Sequence, residues 1–248
     1  CCGVWAALAG GYGSDLDTYL VLRTFRRLVV EGVYVPSRFT GYPLAELVLG
    51  ALAWWGGPAA TNLATFAAFG GGLVLFVRAV RPTVDRGTLL SFLLLASTNH
   101  VLFFDAVQAN DYAWAFLPFA AGAFLLSRGA ATWGAVLLGV SVGFRPNFAV
   151  FVAALLLVPG VPAAELGWAG RRGRFALLAL AGSVGAMYYV PVWVLNDFGF
   201  GWLSAERPPT SLVWLRRAVF RSVLAVGTTS FVFVAAGLVG AWRGRRLQ

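Results

Sequence analysis

The sequence predicts an all-α integral membrane protein with about eight transmembrane helices. Hydrophobic residues make up 59% of the 248 residues and charged residues only 12%, with a mean hydropathy of +0.77. Soluble domains carry about 25% charged residues, so this composition favours a bilayer over water as the surroundings of the chain. Two further observations support this class: apolar runs recur along the chain, and clusters of arginine separate them.

The apolar runs have roughly the length of a bilayer-spanning helix, although several fall short of the usual ~20 residues. They lie at about 61–78, 88–104, 112–127, 130–144, 147–162, 175–195 and 222–242. Residues 1–10 are interpreted as the end of an earlier span, and we expect the chain to begin inside a longer gene product or after processing. Since no repeat with a period of 20–50 residues is evident, residues 1–248 are predicted to form one membrane domain.

The formal net charge of +9 would indicate nucleic acid binding in a soluble chain. Here the basic residues stand in short clusters between apolar runs, as juxtamembrane arginines do. Nucleic acid is therefore excluded as a partner, and the lipid bilayer is expected instead. The adjacent Cys1 and Cys2 are interpreted as small apolar residues, because a disulfide framework or metal site cannot be built from this pair.

The arginine clusters also predict which loops share a side of the membrane. They comprise Arg78, Arg81 and Arg86, then Arg128, then Arg171, Arg172 and Arg174, and finally Arg243, Arg245 and Arg246. If these clusters are cytoplasmic, every second loop faces outward. The outward set is then 11–60, 99–111, 145–147 and 196–221, provided that the apolar run 43–57 does not cross the membrane.

Two amphipathic juxtamembrane helices are predicted in the first outer loop, residues 11–60. From Asp15 to Glu31, apolar residues recur at helical spacing and charged residues fall largely on the other side. The apolar set is Leu16, Tyr19, Leu20, Leu22, Phe25, Leu28 and Val29, and the charged set is Arg23, Arg26, Arg27 and Glu31. The second helix, 43–57, ends in Trp54-Trp55-Gly-Gly-Pro58, which is typical of a membrane interface.

Carboxylates mark the first outer loop as a candidate site. Asp15 and Asp17 stand at the start of the first predicted helix, where they serve either as helix caps or as a catalytic base. Glu46 lies within the second helix, and its role is left open between an interfacial residue and a substrate ligand.

Other polar residues fall in the remaining outer segments. His100, Asn110 and Asp111 lie in or beside the loop 99–111, and polar residues near membrane depth are functional by default because their burial is costly. Arg145 and Arg38 are candidate site residues on the predicted outer side, since a guanidinium pairs with two anionic oxygens at once and keeps its charge near lipid. The alternative for Arg145 is a headgroup anchor.

Together these features resemble the GT-C superfamily of polytopic glycosyltransferases, in particular the branch of protein O-mannosyltransferases and lipid A aminoarabinose transferases. The resemblance covers most of the chain. It rests on the acidic motif Asp15 to Asp17, the helix Tyr19 to Leu28, the segment Thr40 to Leu44, the step Asp111-Tyr112 and the step Arg145-Pro146.

The resemblance implies an inverting glycosyltransferase in the plasma membrane with its active site outside. It would take a sugar from a polyprenyl-phosphate donor and pass it to a protein, lipid or glycan acceptor. Asp17, or else Asp15, is implied as the base that accepts the acceptor's proton. Arg145, with Arg38 second, is implied for the donor phosphate.

A divalent cation, Mg or Mn, is left open by the same resemblance, because some members use one and others work without metal. Asp17 and Asp111 would then hold it, with His100 or Asn110 nearby. Glu46 belongs to the same group of substrate or metal candidates.

Two other functions compete with this interpretation. The chain is alternatively a transporter or flippase of lipid-linked sugars, or a noncatalytic membrane subunit. Transporters usually place polar residues inside spans near the midplane and have repeated halves. The carboxylates here lie in predicted outer loops, which disfavours transport.

Overall fold

The computed structural model describes residues 2–12, 16–37, 41–82, 84–98, 106–157 and 171–195. In these ranges the chain forms nine α-helices and no strand, which confirms the predicted all-α class for this part of the protein. The helices are α1 Cys2–Ala9, α2 Leu16–Glu31, α3 Pro43–Val80, α4 Arg86–Thr98, α5 Asp111–Ser127, α6 Ala131–Phe144, α7 Phe148–Leu157, α8 Arg171–Met187 and α9 Val190–Leu195.

One helix among the described residues, α3, is long and apolar enough to cross a membrane. The apolar helices α6 and α7 have only 14 and 10 residues. Helices occupy every predicted run from 61 to 195, but their lengths do not establish eight membrane crossings. The predicted run 222–242 lies outside the described residues.

Helix α3 is interrupted at Gly57, where the backbone has φ +66° and ψ −167°. Glycine adopts this left-handed φ without the steric cost that a Cβ would bring, and Pro58, which follows, lacks the N–H of a regular helix. The helix therefore consists of an N-terminal arm, residues 43–56, and a C-terminal arm, residues 58–80. This break agrees with the predicted end of the second juxtamembrane helix.

The helices pack in a simple order. α3 lies against α5, α5 against α6, and α6 against α8, while α1 and α2 cover α3. α5 runs in the same direction as the C-terminal arm of α3, because the Trp114 indole donates to the Thr65 hydroxyl at 3.0 Å and Gly72 lies beside Leu117 further along both helices. The turn 128–130 then reverses the chain into α6.

These helix directions give the two ends of the array different charges. Arg78 lies in the last turn of α3, Arg128 follows α5, and Arg172 lies in the first turn of α8. These arginines therefore lie at one end of the array. The opposite end contains Asp111 at the start of α5 and Arg145 at the end of α6.

One side of α2 packs against the protein. Thr18, Val21, Thr24 and Phe25 are buried there, and Phe25 belongs to the predicted apolar set. The threonine hydroxyls donate to backbone carbonyls of neighbouring loops, at 2.5 Å and 2.7 Å. Tyr19 and Val29, also predicted as apolar-side residues, are 48% and 49% exposed, which suits a helix that lies at a membrane interface.

Asp85 caps the exposed helix α4, and we expect this cap to be lost in acid. Its carboxylate accepts from the Thr88 amide at 2.9 Å and from the Thr88 hydroxyl, and these bonds lower the pKa of Asp85. Stabilisation is therefore full above the unfolded value of about 3.9 and is lost as the pH falls through the lower folded pKa. Hydrogen exchange at Thr88 and Leu89 should show this loss. Asp85→Asn should keep protection at low pH, and equal pH dependence in that variant would contradict the assignment.

Candidate functional site

Asp111 and Arg145 form a buried ion pair where α5 begins and α6 ends. Arg145 Nη1 donates to Asp111 Oδ1, and the two side chains are only 8% and 4% exposed. Asp111 is the first residue of α5 and Arg145 immediately follows α6, so the helical hairpin brings them together across 34 positions of sequence. The alternative role of Arg145 as a headgroup anchor is contradicted by its burial.

Two tyrosine rings surround the Arg145 guanidinium. Its central carbon lies 3.3 Å from the centroid of Tyr112 and 5.9 Å from that of Tyr42. Arginine stacks well on such rings because its planar cation is attracted by the negative face. Nε of Arg145 is buried and has no hydrogen-bond partner among the described residues. The ion pair therefore leaves one strong donor available for a further acceptor.

The first turn of α5 places Asp111 beside this cation. Asn110 is the N-cap residue, and its Oδ1 accepts from the Tyr112 amide at 2.9 Å. The same end of the helix favours the negative charge of Asp111 through the helix dipole. The structure thus gives Asn110, predicted as a substrate or metal residue, a capping bond that fixes the orientation of Asp111 and Tyr112.

The first turn of α2 reaches the same region. The Thr18 hydroxyl donates to the Ala109 carbonyl at 2.5 Å, two residues before Asp111. Asp17 precedes Thr18 in α2, although its side chain is not among those the structure describes. The backbone therefore brings the predicted catalytic segment to the start of α5. Asp15, Arg38 and His100, the other predicted site residues, lie outside the described residues.

Glu46, near the start of α3, binds the loop that precedes this helix. Its side chain is 0% exposed. One carboxylate oxygen accepts from the Tyr34 hydroxyl, and the other accepts from the Ser37 hydroxyl, the Ser37 amide at 2.8 Å and the Tyr42 amide at 3.2 Å. Burial, followed by the hydrogen bond to Glu46 and its negative charge, raises the pKa of Tyr34, so this phenol remains a donor. Four donors from the loop thus surround the carboxylate predicted as a substrate or metal ligand.

The loop that Glu46 binds reaches the ion pair at its C-terminal end, through Tyr42. Tyr42 approaches Arg145, and a Cβ built on Gly41 would lie 2.7 Å from Val192 Cγ2 in α9. The Tyr189 hydroxyl between α8 and α9 donates to the Val142 carbonyl at 3.0 Å and interacts electrostatically with the charges of the site. Segments from four parts of the chain therefore meet around Arg145.

The described residues do not offer a good place for a divalent cation. Asp111 is already paired with a cationic side chain, whose charge would repel a metal ion bound to the same carboxylate. No group of three His, Cys, Asp or Glu side chains capable of holding a metal occurs in the described part of the chain. The Asp17 side chain and His100, which the resemblance also implied for a cation, lie outside the described part of the structure, so a divalent cation stays a prediction.

Sequence reasoning missed the aromatic and hydroxyl groups of this site. Tyr112 and Tyr42 were quoted as motif residues but were assigned no contact with Arg145. Their only signal in the sequence was their place beside Asp111 and within the segment Thr40 to Leu44. Tyr34 had no signal at all, because its partner is chosen by the folded loop.

Comparisons with protein-family models, with curated proteins and with solved structures found no match to this chain. The fold and the site nevertheless define a class. It is a helical protein with a buried arginine–aspartate pair at one end of its helices, and two tyrosine rings lie against the arginine. The arginines of α3, α5 and α8 mark the other end.

Proposed function

We propose that this chain is a multi-pass, GT-C-like membrane glycosyltransferase with about eight spans, acting on the outer face of the plasma membrane. It transfers a sugar, with inversion, from a polyprenyl-phosphate donor to a protein, lipid or glycan acceptor. The observation that carries this proposal is the buried Arg145 guanidinium, which pairs with Asp111 and leaves Nε without a partner among the described residues. A phosphodiester offers the anionic oxygen that such a donor binds most strongly.

A lipid environment is supported by where the apolar side chains lie. Only 22% of the most apolar 18-residue stretch of α3 is buried within the protein, unlike the core helix of a soluble domain. Large apolar side chains are also exposed on other helices: Trp55 at 79%, Val150 at 71%, Met187 at 69% and Trp133 at 68%. Surfaces of this kind are stable against lipid tails and costly in water.

The sidedness follows from the charge difference between the helix ends. The arginine-bearing end fits the cytoplasmic side, where loops are enriched in basic residues. The end with Glu46, Asp111 and Arg145 would then face outward. Trp54 and Trp55, 47% and 79% exposed at the end of the N-terminal arm of α3, fit the headgroup level of that side.

The proposed reaction is a single displacement at the anomeric carbon. The acceptor hydroxyl oxygen attacks this carbon from the face opposite the phosphate and forms the new glycosidic bond. The old bond to the phosphate oxygen breaks, and its electron pair leaves with polyprenyl phosphate. Asp17 takes the hydroxyl proton, with Asp15 as the alternative base. Arg145 stabilises the charge that develops on the departing phosphate.

The test is release of polyprenyl phosphate from a panel of polyprenyl-phosphate sugars by the purified protein in lipid, with protein, lipid and glycan acceptors supplied to take the sugar. We expect Asp17→Asn to reduce release by about 100-fold or more, since general base catalysis contributes on that order. Asp15→Asn should have the smaller effect. A chelator should leave release unchanged, because the pairing of Asp111 with Arg145 disfavours a metal there.

Folded wild-type protein that consumes no donor of the panel would contradict the proposal. Movement of the same lipids between leaflets without their cleavage would identify the transporter instead. Folding of each variant is checked by its thermal unfolding, so a loss of activity is separable from a loss of structure.

A further inference from the structure

In the first loop, residues 33–37 and 41–42 are held mainly by hydrogen bonds to one side chain, that of Glu46. We call these residues the strap. Three of its members donate hydrogen bonds to Glu46: Tyr34 through its hydroxyl, Ser37 through its hydroxyl and amide, and Tyr42 through its amide. A fifth hydrogen bond comes from α2, where the Thr24 hydroxyl donates to the Val35 carbonyl at 2.7 Å.

The position of the strap matters because of what lies beneath it. Tyr42 is the strap residue nearest the ion pair, with its ring 5.9 Å from the Arg145 guanidinium. At the other side, Gly41 packs against Val192, which is only 3% exposed. The contacts of Tyr42 and Gly41 therefore control the access of an anion to Nε of Arg145.

We propose that Glu46 is a positioning residue that fastens the strap over the Asp111–Arg145 pair by hydrogen bonding. Its carboxylate is completely buried and is matched by donors on both oxygens, as expected of a group whose task is to order the backbone around it. The hydrogen bonds between Glu46 and the strap do not depend on the proposed sugar transfer. Only its consequence, control of donor access to Arg145, rests on the proposed function.

The donor pattern around Glu46 separates hydrogen bonding from charge. One oxygen of a glutamine can still accept from the Ser37 and Tyr42 amides, while its NH₂ group donates to the Tyr34 hydroxyl, which also accepts. Glu46→Gln should therefore keep the strap closed. Glu46→Leu has a similar size but accepts nothing, so the part-buried N–H groups of Ser37 and Tyr42 lose this acceptor.

Closure of the strap can be measured by the reactivity of a cysteine placed under it. Cys1 and Cys2 are the only native cysteines and are replaced by serine in the background protein. Val192→Cys then reports opening of the strap to N-ethylmaleimide. Val152→Cys, in α7 at 1% exposure, is the matched buried control away from the strap.

We expect Glu46→Leu to accelerate labelling at position 192 by about tenfold or more, because the hydrogen bonds that Glu46 accepts from Tyr34, Ser37 and Tyr42 are lost together. Glu46→Gln should remain within about twofold of the parent, since its hydrogen bonds persist. Labelling at position 152 should not change in either variant. No donor sugar is needed, so this result stands whether or not polyprenyl phosphate is released in the activity assay.

Three results would overturn the proposal. Unchanged labelling at position 192 in Glu46→Leu would mean that the carboxylate does not fasten the strap. Equal acceleration at 152 would mean that the whole protein loosens. Acceleration by Glu46→Gln equal to that by Glu46→Leu would mean that charge, not hydrogen bonding, is responsible.

A pair of glycines tests the strap independently if Glu46→Leu does not fold. Gly41 and Gly32 have nearly the same left-handed backbone, with φ +66° and φ +68°, so alanine strains both alike. Only at Gly41 does the added Cβ meet a neighbour, Val192, at 2.7 Å; at Gly32 nothing lies within 4 Å. Gly41→Ala should therefore raise exchange of the Tyr42 amide about tenfold more than Gly32→Ala does. Tyr34→Phe, which removes one hydrogen bond to Glu46, should raise it by a smaller factor. Equal exchange in the two glycine variants, or no effect of Tyr34→Phe, would refute the fastening.

Discussion

Asp111→Ala should destabilise the protein by about 3–5 kcal/mol, because it leaves the buried Arg145 cation without its counter-charge. The double variant Asp111→Ala/Arg145→Met should be more stable than Asp111→Ala alone, since no unpaired charge remains. A double-mutant cycle in detergent, followed by denaturant unfolding, measures the difference. The coupling should reach about 1–3 kcal/mol.

The exposed pair Arg27–Glu31 provides the control for this cycle. Its side chains are 34% and 50% exposed, and its N–O distance is 2.9 Å. Water screens such a pair, so Arg27→Met should change the free energy of unfolding by less than about 0.5 kcal/mol. Additive effects at Asp111 and Arg145, or an equally small effect there, would show that the buried pair does not hold α5 to α6.

Gly139→Ala should separate α6 from α8 and destabilise the protein by about 1–3 kcal/mol through overpacking. The added Cβ would lie 2.6 Å from the Ala181 carbonyl oxygen and 2.6 Å from Val184 Cβ, and neither is the end of a flexible side chain. The backbones must therefore move apart. Because Arg145 follows α6, the shift should also reach the ion pair, and donor release should fall with stability.

Gly182→Ala, on the facing helix α8, makes the same chemical change in open space. Nothing lies within 4 Å of its added Cβ. Alanine also favours a helix over glycine by roughly 0.5–1 kcal/mol, so this variant should be neutral or stabilised. Thermal unfolding of both variants in one detergent compares them directly. A loss of stability at Gly182 as large as at Gly139 would contradict the close contact.

Local patterns predicted the helices well because they reflect local physics. The apolar runs anticipated α5 and α6, and the Gly57-Pro58 step anticipated the break in α3, since both residues act on their own backbone. The shared end of Asp111 and Arg145 followed from the alternation of the arginine clusters between the apolar runs. Their direct contact did not, because helical parity fixes an end of the array but not a neighbour.

The contacts that the sequence did not predict depend on partners distant in sequence. Thr18 and Thr24 of α2 donate to acceptors that belong to other segments of the chain. The sequence left the role of Glu46 open between an interfacial residue and a substrate or metal ligand. Its donors come from a loop whose path the sequence pattern does not specify.

The break at Gly57 divides α3 into two arms with different roles. The arm 43–56 carries Glu46, which holds the loop beside Arg145. The arm 58–80 is long and apolar enough to cross a bilayer. Helices adapt to thick and thin membranes by changing their tilt. With a joint at Gly57, such a change in the lower arm can be taken up by one residue. The direction of the arm that carries Glu46 is thereby not dictated by the direction of the arm 58–80.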